Sequence, residues 1–420
     1  MKLDMYEDVA FRCRCCEVGC CSTFEVAVTP EERAALEKLA LPALDRPDGC
    51  FLPGKGKDFV LSKDPATGRC VFSSGVHCMI QEKYGYAAKP LSCRVFPLHI
   101  QHWRDGRVSV EYRFICPAVG GSGRRIGDQR PEITAMAREM ALRRGADDAV
   151  YAKNNPAPLE KVRLVHEGFR GILHNPGEPW ALRLYTAARV LDFHGQRAMR
   201  GAIAAADANF ARDAVEFAAK AREVLAGELA AGEVDALTRT NFRNILCGYL
   251  RDDAGEKHPG LMFRLARTMQ QLRIVSGKGR LTELNLRAPD VPGDGFPLRK
   301  ERFTLNREGR TMFECFFFAK LDSFHFCGGM VHNMNYEEGM RHLLLAAPMA
   351  YCLGAGYARA AGRREIGEKE MLEAVRLLDF AFARSPFFRL KAAKRWTGQQ
   401  LKPKNYAGLL RESWCGAPAS

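Results

Sequence analysis

The sequence has no long uncharged apolar run. The longest, Leu343 to Ala358, is interrupted by Pro348, Gly354 and Gly356 and falls short of the ~20 residues that cross a bilayer. The first ten residues, M-K-L-D-M-Y-E-D-V-A, put acids where the apolar core of a secretory signal would sit. A soluble, cytoplasmic chain is therefore expected. There is no continuing strand-helix alternation of the kind that builds a parallel sheet. Gly277-Lys278-Gly279 lacks the spacing of a phosphate loop. No internal repeat, low-complexity tail or nucleic-acid module is visible.

Acids are the minority: 49 Asp and Glu stand against 63 Lys and Arg, a net charge of +14 with a pI near 9.2. Such a balance favours something acidic, whether nucleic acid, an acidic protein or an anionic cofactor. The basic residues are spread through helical sequence, so most of the excess reads as solvated faces. The length of 420 residues predicts two or three domains, and 47% hydrophobic content supplies their cores.

Cysteine, by contrast, is concentrated. The stretch Phe11 to Phe24, F-R-C-R-C-C-E-V-G-C-C-S-T-F, packs Cys13, Cys15, Cys16, Cys20 and Cys21 into nine residues. Cys70, Cys78, Cys93 and Cys116 follow, so that ten of the fifteen cysteines fall within the first 116 residues. A chain this long needs no disulfide staples, and adjacent cysteines such as Cys20 and Cys21 reach disulfide geometry poorly. Metal or cluster ligation is the expectation. Thiolates select zinc, copper(I) or iron-sulfur clusters. One tetrahedral zinc takes four ligands, so this set suits two zinc sites or one four-iron four-sulfur (4Fe-4S) cluster with cysteines to spare. Arg12, Arg14 and Arg94 would offset the anionic charge of the thiolates.

The surrounding sequence predicts loops and strand ends that bring these thiols together. Phe24, Val26 and Val28 alternate as a short strand. Thr29-Pro30-Glu31-Glu32 reads as a helix start, with a capping threonine, a proline in the first turn and a reciprocating glutamate. This helix should run from Pro30 to about Ala40. A loop to Gly56 carries Cys50, and a short strand and turn deliver Cys70. Pro90 and Pro97 confine Cys93 to extended or turn backbone and forbid a long helix there. Val108, Val110, Tyr112 and Phe114 alternate as a half-buried strand ending at Cys116-Pro117. Gly120-Gly121-Ser122-Gly123 marks a flexible boundary, with a cofactor-binding turn as the other reading.

Beyond that boundary the periodicity is helical. Segments are expected from Pro131, with Ile133, Met136 and Met140 on one face, and over 159–173, 179–192, 205–229 and 235–250. Leu261, Leu265, Met269 and Leu272 form another apolar face. Residues 276–300 read as loop, and helices return over 311–326, 336–361 and 368–383. The predicted fold is α+β: a loop-and-strand cysteine-cluster domain over 1–125, then a mainly helical domain over 126–420, with a subdivision suggested near 276–300. Two other groups of residues can carry chemistry. Glu314, Asp322, His325, Cys327, His332 and Tyr336 lie among aromatics, as a polar pocket or as ordinary core and surface residues. His99 and His102 could add metal ligands, or simply belong to a surface strand.

Cys13-x-x-Cys16-x-x-x-Cys20-Cys21, then Gly68-Arg69-Cys70, Cys78, Pro90-Leu-Ser-Cys93-Arg-Val-Phe-Pro97 and Cys116-Pro117, resembles the YkgJ-type cysteine-cluster family. That family is described as a zinc- or iron-chelating domain and includes the flagellin lysine-N-methylases. The resemblance implies Cys13, Cys16, Cys20, Cys21, Cys70, Cys78, Cys93 and Cys116 as ligands of zinc or of a 4Fe-4S cluster; Cys15 and Cys50 lie outside the match. F-E-C-F-F-F-A-K-L and E-A-V-R-L-L-D-F-A-F-A-R are similar to the carboxy-terminal region of the methylases. What this implies is methyl transfer from S-adenosylmethionine to a lysine of a protein such as flagellin, with an iron-sulfur cluster required. The spacing of Cys13, Cys16 and Cys20 reverses the radical-enzyme order Cys-x-x-x-Cys-x-x-Cys. The alternative function is a non-catalytic zinc- or iron-binding protein, structural or redox-sensing, whose helices hold a partner. Metal storage or delivery is a third reading.

Overall fold

The computed structural model describes residues 1–13, 21, 25–54, 56–75, 77–120, 123–142, 145–153, 156–195, 201, 203, 205–251, 260–293, 302–382, 385 and 390–414. The fold is α+β, with small sheets in the amino-terminal part and helices through most of the rest. Two compact units divide the chain: Met1–His102 with Val108–Ala146, and Trp103–Arg107 with Asp147–Ser420.

The first unit contains, in order, β1 (Lys2–Asp4), β2 (Ala10–Phe11), β3 (Ala27–Val28), α1 (Pro30–Glu37), β4 (Phe51–Pro53) and β5 (Phe59–Leu61). There follow β6 (Ser73–Ser74), β7 (His77–Cys78), α2 (Met79–Tyr84), α3 (Leu91–Val95), β8 (Leu98–His102), β9 (Arg107–Tyr112), β10 (Arg124–Arg125) and α4 (Arg130–Ala141). The strands form β1-β9-β8 and β3-β5-β4 sheets and β2-β10 and β6-β7 pairs. α1 starts as its sequence predicts: the Thr29 hydroxyl accepts the Glu32 amide at 3.2 Å, and the Glu32 carboxylate accepts the Thr29 amide at 3.0 Å. Val26, Val28, Leu36, Leu61, Phe72 and Ile80 form the core beneath it.

The strand expected to be half-buried is buried on both faces from Val108 to Tyr112. Its polar residues are opposed by polar residues of β8, Ser109 by Gln101 and Glu111 by His99. His99 Nδ1 lies 3.4 Å from the Glu111 carboxylate, a partner a buried carboxylate requires. β8 is accordingly not the surface strand considered for His99 and His102; Ile100 and Gln101 between them are buried.

The second unit continues with α5 (Leu159–Leu173), α6 (Trp180–Gly195), α7 (Phe210–Lys220), α8 (Arg222–Ala230), α9 (Ala236–Leu250) and α10 (Leu261–Val275). Then come β11 (Thr304–Leu305), α11 (Arg307–Asp322), α12 (Tyr336–Ala360), β12 (Glu365–Ile366), α13 (Glu368–Phe382), α14 (Lys391–Gln400) and α15 (Pro403–Ser413). α12 is the central helix, packed by α11, α13, α14 and α15. It runs 25 residues without interruption at Pro348. The proline removes one amide donor, but residues 342–356 around it are all buried, so packing outweighs that loss. Among the described residues no helix is long and apolar enough to cross a membrane.

Three helical expectations change. The segment 205–229 is not one helix, because α7 and α8 meet at Ala221. α14 and α15 appear where no helix was expected; the lysine-rich start of α14 hides its apolar face. The apolar stripe of α10 points outward: Leu261, Leu265, Met269 and Leu272 are all at least half exposed, while the buried residues are Gln271 and Ile274.

Candidate metal centre

The cysteines of the first unit are placed by backbone pairing. The Cys70 amide donates to the Cys21 carbonyl at 2.7 Å, joining the first cysteine stretch to the turn that carries Cys70. The Cys70 carbonyl in turn accepts the Ser73 amide at 2.8 Å, and Ser73 is paired with Cys78 across β6 and β7. Cys93 reaches the same region on α3. The Ser92 hydroxyl donates to the Ala27 carbonyl of β3 at 3.0 Å, and β3 pairs with β5. Cys70, Cys78 and Cys93 all pack, half-buried, against one hydrophobic core.

Cys93 is on a single helical turn, not in extended backbone. Pro90 precedes the turn and its carbonyl accepts the Cys93 amide at 2.9 Å, so the proline ring meets no helical residue before it. Pro97 then holds Phe96 extended and ends the turn. The prolines limit the helix to five residues without preventing it.

Cys13 and Cys116 are brought near one another by a second pairing. The Arg12 amide donates to the Ala118 carbonyl at 3.3 Å, and the Val119 amide donates to the Cys116 carbonyl at 3.2 Å. Cys13 is exposed and Cys116 buried. Gly123 lies against this crossing with a φ of +151°, where a Cβ would collide with the Phe11 carbonyl oxygen. Close backbone approach therefore accounts for the last glycine of the Gly-Gly-Ser-Gly run; Gly121 and Ser122 lie outside the described residues, as do Arg14, Cys15, Cys16 and Cys20.

Among the described residues no three of these thiols stand within 4.8 Å of one another, and no disulfide joins two of them. Cys50 has a separate role. It is buried, its thiol donates to the Ala43 carbonyl at 2.6 Å, and burial raises its pKa, so it is a protonated packing group. Arg94 is not available to offset thiolate charge, since its guanidinium forks onto Glu139 at 2.7 and 2.9 Å. His102 is lowered by burial, an effect the Ala137 carbonyl partly offsets.

The second candidate region lies around residues 314–338 of the helical unit. The positive-φ residues other than glycine among those described, Phe324, His332 and Asn333, all occur in it, which marks the connection between α11 and α12 as strained. Asp322 accepts from Arg170 Nε and lies beside His174 Nε2, each at 2.9 Å. Burial raises the pKa of Glu314, and the Arg183 charge opposes that shift. His325 and Cys327 are buried, and burial pushes the Cys327 thiol up so that it stays protonated. The Tyr336 hydroxyl lies 3.2 Å from His166 Nδ1.

Sequence reading missed Arg163 and His166, which complete this region. The Arg163 guanidinium lies over the Phe324 ring at 4.1 Å and donates to Asp105 at 3.0 Å. Both residues come from α5, too far along the chain for any local pattern to connect them with Phe324. The arrangement is an aromatic core in which burial holds His166 well below its ordinary value. Comparison of the chain with family models, with curated proteins and with solved structures finds no match.

Proposed function

We propose that this protein binds a metal ion or an iron-sulfur cluster through its amino-terminal cysteines, and that it is an S-adenosylmethionine-dependent protein lysine N-methylase. The single observation carrying the metal reading is the backbone link from Cys21 to Cys70, with Cys78 and Cys93 on the same core. Thiols gathered at loop and strand ends, with Cys50 set apart as a packing residue, fit soft-metal ligation. Cys13, Cys16, Cys20, Cys21, Cys70, Cys78, Cys93 and Cys116 would hold zinc or a 4Fe-4S cluster in a reducing, cytoplasmic setting.

The methylase reading rests on the resemblance of the cysteine motif. S-adenosylmethionine would supply the methyl group: the deprotonated amine of a lysine on a partner such as flagellin would form the N–CH3 bond as the S–CH3 bond breaks, its electron pair staying on sulfur, and S-adenosylhomocysteine would leave. A non-catalytic metal protein that holds a partner is the second reading, favoured by the solvent-facing apolar stripe of α10.

The test is metal, iron and sulfide analysis of protein purified without oxygen, followed by titration with S-adenosylmethionine. About four iron and four sulfide per chain, with broad visible absorption, supports a cluster. Stoichiometric zinc after iron-replete expression, with no S-adenosylmethionine binding, would move the conclusion to the second reading. Protein with neither metal overturns both.

A further inference from the structure

α10 has two unlike faces. Toward the fold it is anchored by polar contacts: Gln271 donates to Asn244 Oδ1 at 2.6 Å, Arg243 donates to the Val275 carbonyl at 2.8 Å, and Ile274 is buried. The opposite face carries Met262, Leu265, Met269 and Leu272, spaced three, four and three residues apart. That is the a and d spacing of a coiled-coil seam. Their exposures of 77, 50, 61 and 53% leave the seam in solvent. Ala266 and Thr268 flank it and are small enough to let another helix approach closely.

The charges around the seam determine what fits it. From Leu261 to Thr282 every ionisable residue is basic: Arg264, Arg267, Arg273, Lys278 and Arg280. A second copy of the same helix would bring these cations against one another. Arg280 is paired with Asp290 and Arg267 donates to the Glu283 carbonyl, whereas Arg273, 3.8 Å from Glu283 and 59% exposed, flanks the seam and would meet complementary charge on an acidic helix. Methionine at both a positions adapts to the partner's side chains, and the absence of an exposed aromatic residue on the seam favours a protein helix over a lipid interface.

We propose that the outer face of α10 is a docking seam for an acidic amphipathic helix of another protein. Met262, Leu265, Met269 and Leu272 would supply the apolar contact, and Arg273 beside the seam would select an acidic flank.

The full-length protein would be titrated with a synthetic heptad peptide bearing leucine at a and d and glutamate at e and g. A lysine-bearing counterpart, and vesicles of phosphatidylcholine and phosphatidylserine, serve as the competing probes. The glutamate peptide should bind, weaken as salt rises, and lose at least ~tenfold in affinity in the Leu265→Asp, Met269→Asp double variant. Arg273→Glu should shift preference toward the lysine peptide, and its exposed position keeps the test valid if the double variant fails to fold. No binding, equal binding of both peptides, vesicle binding undisturbed by the acidic peptide, or self-association lost in Leu265→Asp would each overturn the proposal.

Discussion

Glu32 and Leu91 meet across 59 residues of chain: one carboxylate oxygen of Glu32 accepts the Leu91 amide at 2.7 Å, while the other caps α1 through Thr29. A residue whose local duty is to start one helix thus also anchors the turn that carries Cys93. The two duties use separate oxygens, so neither weakens the other.

Glu32→Ala should remove both bonds and leave two amides without their acceptor, destabilising the first unit by about 1–3 kcal/mol. Glu32→Gln, which keeps an acceptor, should lose less. Urea unfolding gives the stability. Metal content per chain should fall in the alanine variant as α3 loosens, and normal metal content with the full stability loss would detach Cys93 from the site.

Cys70→Ser and Cys50→Ala separate ligand from packing residue. Cys70→Ser should reduce bound metal or cluster while Cys50→Ala retains it and loses about 1–2 kcal/mol of stability through the vacated contact with Ala43. Metal analysis beside denaturant titration distinguishes them, and equal metal loss in both variants would refute the assignment.

In the helical unit Lys320 and Asp379 form an ion pair at 2.5 Å with side chains 4% and 0% exposed. Lys320→Met alone removes the cation from a buried carboxylate and should destabilise the protein by about 3–5 kcal/mol, while adding Asp379→Leu should restore most of that. The comparison is a double-mutant cycle in urea.

Buried histidines set a pH dependence. Burial lowers His194 to about 4; burial, aided by Lys394 and Arg341, lowers His342 to about 3. His166 is likewise held well below its ordinary value by burial. The unfolded chain takes up these protons near pH ~6.5 and the folded chain only further down. Stability is therefore lost as pH falls through ~6.5 toward the folded values, by about 1.4 kcal/mol per pH unit for each histidine. His194 Nδ1 has no hydrogen-bond partner among the described residues and its ring meets Phe169 edge-on, so His194→Phe should preserve the packing. That variant should flatten the decline between pH 6 and 5, by about one proton's slope; an unchanged slope would show that His194 does not stay neutral in the fold.

The local parts of this structure were legible in the amino-acid order. The capping box at Thr29 and Glu32, the periodicity of 159–173, the long apolar helix from Tyr336 and the clustering of cysteines depend on neighbours within a turn or two. Tertiary structure decided the rest. It turned the apolar stripe of α10 outward, because Gln271 and Ile274 rather than Leu265 and Met269 found partners on the fold. It buried Glu111 opposite His99, and it kept α12 helical through Pro348 by packing every side of it. Periodicity defines a face, but which face is buried depends on segments that arrive from far along the chain. The amide bond from Cys70 to Cys21 joins residues that no local pattern links, and only the folded chain brings them together.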